Sequence, residues 1–238
     1  GMLRDGGGGP PTSPDRGSNS ASEGGCRAGR EGGASVRPAR SAKQGVREDF
    51  TESSPSALGG TFHPMDGAPE TSSARGAELE AYHRDHVLGC VRCPLSEGRT
   101  QVVAGSGSPD ARVMFVGEAP GYHEDRTGVP FVGQAGKLLD GLLEGIGLRR
   151  DDVFIANVLK CRPPGNRDPQ PAEIRACEEH LFRQVGIIRP ALICTLGNFA
   201  TKLLSGRPDG ISKVHGCELP LEIGGQPTLL YPLFHPAA

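Results

Sequence analysis

Four cysteines in two separate regions of the chain have the residue type and arrangement of a metal site. Cys90 and Cys93 form a Cys-x-x-Cys pair, Cys161 follows a predicted strand, and Cys177 lies in the next predicted helix. Four thiolates from two regions can enclose Zn²⁺ or a [4Fe–4S] cluster, and in a cytosolic chain such a pair favours a metal or redox site over a disulfide. The spacing does not distinguish iron from zinc, and it leaves open that only the first pair binds metal.

A loop rich in carboxylates follows the first predicted strand. Glu118, Glu124 and Asp125 lie within one short stretch, together with glycine and proline residues that allow a tight turn and close approach of backbone N–H groups to a ligand. Taken alone, the loop is better explained as a solvated acidic turn. A phosphate-binding loop is excluded, because the Gly-x-x-Gly-Lys run at 133–137 has the wrong spacing and continues with leucine instead of serine or threonine.

Two further polar residues lie at the ends of predicted strands. Asn157 belongs to the end of the second strand, and His235 follows the last one. The carboxyl ends of parallel strands meet at one edge of a sheet, and ligands bind there. The sequence therefore predicts that Glu118, Asn157 and His235 lie near one another.

The elements that would position these residues alternate between strand and helix. Apolar runs predict strands at 112–116, 153–158, 191–196 and 227–234. Helical spacing of apolar residues predicts helices at 77–88, 133–146, from Pro171 onward and at 199–204. The alternation predicts an α/β fold of three layers, with a central parallel four-stranded sheet flanked by helices.

The first 75 residues differ in composition from the rest of the 238-residue chain, which contains 36 Gly and 21 Pro. They are rich in Gly, Pro and Ser, and their apolar residues are isolated, so we predict a disordered tail at 1–75 and one domain at 76–238. The net charge of −2 excludes a globally basic nucleic-acid coat protein, but not local basic patches. Because the sequence lacks membrane-spanning apolar runs and a signal-peptide core, we expect a cytoplasmic protein without a membrane partner.

Two sequence blocks give the chain a family resemblance. The run GEAPGYHEDRTGVPFVGQAGKLL at 117–139 and the run NVLKCRPPGN at 157–166 resemble motifs of the family 4 uracil-DNA glycosylases, which carry a [4Fe–4S] cluster. The Cys-x-x-Cys pair, Cys177 and His235-Pro236 match as well, so the resemblance covers about residues 77–238. It implies a monomeric, monofunctional enzyme that removes uracil from single- or double-stranded DNA, leaves an abasic site and starts base-excision repair.

The resemblance also implies a role for each matching residue. Phe131 stacks on the extruded uracil, Asn157 reads its polar edge, and His235 faces O2 of the leaving base. Glu118 lines the base and sugar and Glu124 holds the attacking water, although the sequence does not decide which carboxylate positions the water. The other implied site residues are Gly117 and Ala119 beside the substrate and the cluster ligands Cys90, Cys93, Cys161 and Cys177.

The chemistry of uracil release agrees with these roles. Cleavage leaves negative charge on the base and positive character on the sugar. A hydrogen-bond donor at O2 would stabilise the negative charge, and a carboxylate near C1′ would stabilise the positive charge. The Asn157 carboxamide can accept from N3–H and donate to O4, whereas cytosine would mismatch it at both points. Uracil is also among the bases that cost little to extrude. The hydrolysis needs no metal, so the cluster is expected to be structural or to contact DNA.

Basic residues on loops beside the site are expected to contact DNA phosphates. They are Lys160, Arg162, Arg167, Lys213 and His215; ordinary solvated loops are the alternative. No lysine is placed to form a Schiff base, so lyase activity is not expected. The segment 162–176 lacks the histidine-containing insertion of a covalent uracil-binding branch, which favours turnover over trapping.

Two alternatives to a glycosylase stay open. Family members continue past the position of Ala238 with a loop that wedges the duplex and a further helix, so we expect a truncated C-terminus. That expectation makes a non-catalytic iron–sulfur DNA-binding protein the first alternative, and a zinc-bound nucleotide-binding module is the second.

Overall fold

A computed structural model of the protein describes residues 73–237, and the tail predicted at 1–75 lies almost entirely outside this range. The described chain forms a six-stranded sheet in the order β1-β3-β2-β4-β6-β5. The strands are β1 Ser106–Gly107, β2 Val113–Gly117, β3 Phe154–Asn157, β4 Leu192–Leu196, β5 Leu219–Ile223 and β6 Gln226–Leu233. The four central strands are parallel, which confirms the predicted parallel core.

The helices cover the two faces of this sheet. They are α1 Ala74–Tyr82, α2 Leu95–Gly98, α3 Tyr122–Thr127, α4 Gln134–Gly145, α5 Pro171–Ile188, α6 Asn198–Ser205 and α7 Ile211–Val214. One π-helical turn, His83–Val87, extends α1, and two 3-10 turns lie at Arg150–Asp152 and Pro164–Asn166. Within residues 73–237, no helix has both the length and the apolar character that crossing a membrane requires.

The prediction of four strands omitted two antiparallel edge strands. β1 pairs with β3, and β5 forms a hairpin with β6 in which Ile223 lies opposite Gln226. The two linking residues, Gly224 and Gly225, both have positive φ angles of 61° and 77°. A two-residue turn with positive φ at both positions is the favoured hairpin connection, and Gly-Gly is a sequence signal for it. That signal was present in the sequence and was overlooked.

Alternate residues of the central strands pack into cores on opposite faces of the sheet. Met114 and Val116 of β2 belong to the core that includes Leu181 of α5. Phe115 belongs to the opposite core, which includes Leu139 of α4 and also Phe131. Because side chains of a strand alternate between faces, apolar residues on both faces require a cover on each side. This arrangement confirms the predicted three layers, and it packs Phe131 into the core between the sheet and α4.

Candidate active site

A cleft of about 560 Å³ opens beyond the carboxyl ends of β2, β3 and β6. Most of the residues that the sequence singled out for catalysis or substrate binding line it, namely Glu118, Ala119, Glu124, Phe131, Asn157 and His235. Sequence reasoning missed other lining residues, which are Pro120, Gly121, Tyr122, His123, Gly133, Gln134, Ala135, Pro163, Asn166 and Ala237. The parallel register brings the central residues together, since Gly117 at the end of β2 lies opposite Asn157 at the end of β3.

Gly117 allows two side chains of the cleft to lie against the backbone of β2. A Cβ atom at this position would lie 2.5 Å from Oδ1 of Asn157 and 2.5 Å from Cζ of Phe131. Real Cβ atoms essentially never make contacts this short, so any larger residue would displace the amide or the ring. Gly117 therefore shapes the base of the cleft without a functional group of its own.

Asn157 carries an unpaired acceptor into this cleft. The residue is 2% exposed, and its Oδ1 atom is a buried polar atom without a hydrogen-bond partner among the described residues. A buried acceptor without a partner costs about 1–3 kcal/mol, so native proteins rarely retain one without a reason. A ligand that donates a hydrogen bond to Oδ1 would remove this cost.

His235 presents a neutral ring with a defined proton position. Burial lowers the pKa of His235 below its usual value, so the imidazole is uncharged at neutral pH. The backbone N–H of Ala237 donates to Nδ1 at 3.1 Å, which requires Nδ1 to be unprotonated. The proton of the neutral ring is then on Nε2, and this nitrogen is a donor. The ring centroid lies 5.9 Å from that of Phe131, at an interplanar angle of 34°.

The two carboxylates of the cleft have different surroundings. Glu124 is buried, and it accepts from three backbone N–H groups, those of Val132 at 2.9 Å, Gly133 at 2.8 Å and Gly121 at 3.1 Å. The Glu118 carboxylate makes no hydrogen bond within the described residues, although the backbone carbonyl of Glu118 accepts from the N–H of Leu159 at 3.0 Å. Burial, and then the charge of Asp168, raise the pKa of Glu118 above its usual value. Glu124 thus closes the loop around the start of α3, while the Glu118 carboxylate can bind a ligand or water.

The sequence matches a known family over the region that builds this cleft. The model of the uracil DNA glycosylase superfamily matches residues 104–238. The chain belongs to this superfamily. It is 47% identical over 160 residues to a type-4 uracil-DNA glycosylase of Sulfurisphaera tokodaii, covering 65% of this chain and 73% of that protein.

Other relatives agree with this assignment. A type-4 uracil-DNA glycosylase of Thermotoga maritima is 47% identical over 161 residues, which are 67% of this chain and 82% of that protein. A type-5 uracil-DNA glycosylase of Thermus thermophilus is 34% identical over 162 residues, with 59% and 73% of the two chains covered. The higher identity to type-4 members confirms the family resemblance predicted from the two sequence blocks.

In this member of the uracil-DNA glycosylase superfamily, the four predicted cluster ligands are free thiols. Burial raises the pKa of Cys177 to about 11, against the opposing charge and N–H donor of Lys160 and with smaller contributions from Cys161 and Cys93. Burial likewise raises the pKa of Cys161, with added contributions from Cys93 and Cys90. Each sulfur therefore lies close enough to at least one other to affect its ionisation. In the part of the chain that the structure describes, however, no three His, Cys, Asp or Glu side chains form a group that could hold a metal ion.

The donor chemistry around these sulfurs fits a thiolate-bound group. The backbone N–H of Lys160 donates to Cys177 Sγ, and the Arg99 guanidinium donates to Cys161 Sγ, each at 3.3 Å. Donors of this kind stabilise negative charge on a sulfur ligand. The identity of the group is not decided by these contacts.

The structure contradicts one of the predicted phosphate contacts. Lys160 is 2% exposed, and its Nζ donates to Asn157 O at 2.9 Å and to Gln184 Oε1 at 2.6 Å. Burial lowers its pKa to about 8. The side chain points into the protein, so the prediction that Lys160 contacts DNA is wrong.

The other predicted DNA-binding residues reach the surface. Arg162 lies over the exposed Tyr122 ring, with 5.2 Å between Cζ and the ring centroid. Arg167 pairs with the buried Glu173 at 2.6 Å, which compensates part of its charge. Lys213 and His215 are exposed at and just after α7. Arg162 and Lys213 are therefore the cations of this set that are accessible and not paired with a carboxylate in the described residues.

Proposed function

We propose that this protein is a monofunctional uracil-DNA glycosylase that hydrolyses the bond between uracil and deoxyribose and leaves an abasic site. The observation that carries the proposal is the unpaired, buried Oδ1 of Asn157, in a cleft shared with Phe131 and His235. The names of the type-4 relatives support the same activity. Uracil specificity follows from the carboxamide, because Oδ1 accepts from N3–H while Nδ2 donates to O4.

The cleft offers a separate contact for each part of the reacting nucleotide. The Phe131 ring stacks on the extruded base, and Nε2–H of His235 donates to O2 as negative charge develops there. The Glu118 carboxylate stabilises positive charge on the sugar and positions the water that attacks C1′. We assign this role to Glu118 because the Glu124 oxygens already accept three backbone N–H groups.

The proposal is tested by incubating the chain with a labelled oligonucleotide that contains one uracil, either single-stranded or opposite guanine, and then treating it with alkali. Strand cleavage at uracil, but not at thymine or cytosine in matched oligonucleotides, is the expected result. A protein that binds these oligonucleotides without releasing uracil would instead be a non-catalytic DNA-binding protein.

Three further expectations from the sequence stay predictions. They are the cytoplasmic location, the monomeric state and the domain boundary near residue 76.

The four thiols would hold a [4Fe–4S] cluster in this proposal. Cys90 and Cys93 come from the segment before α2, Cys161 follows β3 and Cys177 lies in α5, so the group would cross-link two parts of the chain. Sulfur donors in a set of four suit iron–sulfur clusters, and they also suit zinc. The family resemblance favours iron.

We expect Cys177→Ser to prevent binding of this group and to lower the melting temperature by about 10 °C. A bound metal group contributes directly to folding free energy, and each kcal/mol corresponds to about 2–4 °C in a domain of this size. Cys194→Ser is the matched control, because Cys194 is a buried free thiol of β4 outside the set of four. Anaerobic purification, visible absorption and iron and zinc analysis provide the readout. A colourless zinc protein, or a Cys177→Ser variant with unchanged iron, would contradict the assignment.

We also propose that Arg162 and Lys213 contact DNA phosphates beside the cleft. Removing one phosphate contact reduces the salt slope of DNA binding by about 1, so the double variant Arg162→Gln/Lys213→Gln is expected to reduce it by about 2. Arg112→Gln is the control, because exposed Arg112 lies just before the amino end of β2, whereas the cleft lies beyond the carboxyl end of this strand. The measurement is the DNA affinity of each protein at several salt concentrations, from which the salt slopes are compared. Equal slopes in all proteins would show that these loops are merely solvated.

A further inference from the structure

The loop that carries Phe131 is held by one arginine that sequence reasoning overlooked. Arg150, in the 3-10 turn before β3, donates from Nη1 to the carbonyl of Pro130 at 3.0 Å and from Nη2 to the carbonyl of Phe131. Its Nε donates to Asp140 Oδ1 on α4 at 2.6 Å. A single guanidinium thus joins the stacking loop, α4 and the entry to β3.

The backbone that this arginine holds has an unfavourable conformation. Phe131 has a φ angle of 53°, in the left-handed region that bulky residues rarely adopt. Its carbonyl also lies directly against α4, since a Cβ at Gly136 would come within 1.8 Å of the oxygen. Such a conformation persists only where surrounding contacts fix it. Here these contacts include the close approach of α4, the hydrogen bonds from the N–H groups of Val132 and Gly133 to Glu124, and the two hydrogen bonds from Arg150.

The neighbouring arginine shows that this arrangement is specific to Arg150. The Arg149 side chain is 79% exposed, and within residues 73–237 its one ion pair is with Asp152 of the same turn. The Arg150 side chain is 27% exposed, and its hydrogen bonds within the described residues reach Asp140 of α4 and the carbonyls of Pro130 and Phe131. A planar guanidinium can donate to two successive carbonyls and a carboxylate at once, whereas a lysine ammonium lacks this fork geometry.

We propose that Arg150, oriented by Asp140, is a positioning residue that holds the Phe131 ring in place for stacking on the extruded uracil. Loss of the two carbonyl contacts would let the peptide relax from its left-handed conformation. The ring would then move away from its place beside Gly117 and His235. This inference rests on the proposed uracil-DNA glycosylase function, and it adds Arg150 and Asp140 to the residues that control base binding.

The test compares the full-length protein with Arg150→Met, Phe131→Ala and the double variant. The readouts are the kcat/KM for uracil release and the inhibition constant of free uracil, which reports base binding without DNA contacts. For each single variant we expect both readouts to worsen by about 10-fold, the scale of one base–aromatic stacking contact. In the Phe131→Ala background, Arg150→Met should add less than about twofold, because residues that act through one contact are not additive. Affinity for DNA without uracil should not change.

A control and a second pair of variants complete the test. Arg149→Met should behave as the unmodified protein, since it removes an arginine from the same turn without touching the Phe131 loop. If Arg150→Met does not fold, Arg150→Lys and Asp140→Asn are measured in the same cycle, with the melting temperature recorded for each.

Two results would overturn the inference while leaving the proposed function intact. One is uracil inhibition by the Arg150 variants equal to that of the unmodified protein. The other is a loss in the double variant that equals the product of the two single losses, since this would indicate a merely structural role. If the unmodified protein releases no uracil, the proposed function itself fails, and the positioning role fails with it.

Discussion

Replacing Asn157 with alanine is expected to reduce uracil release by about 10³-fold or more. The variant loses both the acceptor for N3–H and the donor for O4, and it leaves the polar edge of an extruded uracil unpaired in a buried site. Sites that are built to hydrogen-bond a substrate discriminate by factors of about 10⁴–10⁵ when one polar partner is missing. The measurement is single-turnover release from a uracil oligonucleotide.

The controls for this variant separate base recognition from folding. Asn166→Ala removes an exposed amide that also lines the cleft, and it should change release by only a few-fold. Truncation of Asn157 also removes an unpaired buried acceptor, so the melting temperature should stay the same or rise. Binding of a metal group by the cysteines should not change. Uracil release by Asn157→Ala at the rate of the unmodified protein would contradict the assignment of the cleft.

The sequence predicted the location of the site because periodicity and topology determine it. Apolar runs located the four central strands, and parallel strands bring their carboxyl ends to one edge. Glu118, Asn157 and His235 each follow or end such a strand, so their convergence required no knowledge of side-chain packing. The omission of the edge strand β5 has a different cause, because the sequence does contain a signal for the hairpin, the Gly224-Gly225 pair at its turn.

The role of Lys160 could not be predicted from its neighbours in the sequence. It lies in the same basic run as Arg162, but the backbone after β3 turns so that the two side chains point to opposite environments. Lys160 enters the protein, where its ammonium donates to the carbonyl of Asn157 and to Gln184, residues that tertiary packing alone brings to it. The charge of Lys160 and its position in the sequence thus indicated a surface cation. The direction in which the backbone turns after β3 places its side chain inside the protein instead.

The contacts that fix Phe131 and Glu124 were hidden from the sequence for another reason. Their partners are backbone groups, namely the carbonyls that Arg150 binds and the N–H groups that Glu124 accepts. Every residue except proline carries both backbone groups, so residue type gives no signal for such a contact. Only the folded arrangement distinguishes Glu124, which shapes the loop, from Glu118, which has no such contacts.

Replacing His235 with leucine is expected to lower kcat by about 10²-fold. The change removes the donor at O2, and loss of one preorganised donor to a developing anion costs about 10²–10³ in rate. His215→Leu is the matched control, because His215 is exposed and stacks on Phe234 with 4.3 Å between ring centroids. That variant should keep its kcat when the DNA concentration is saturating.

The pH dependence of kcat distinguishes a neutral donor from a cationic acid at this position. Because burial lowers the pKa of His235 below its usual value, its ring is neutral at pH 7 and above, so kcat should not fall as pH rises from 7 to 8. A cationic acid would lose its proton in this range, and kcat would fall. At lower pH, kcat should fall as Glu118 is protonated, at a pH above the usual carboxyl range because its pKa is raised. This acid limb should persist in His235→Leu and disappear in Glu118→Gln, since only the second variant removes the titrating carboxylate.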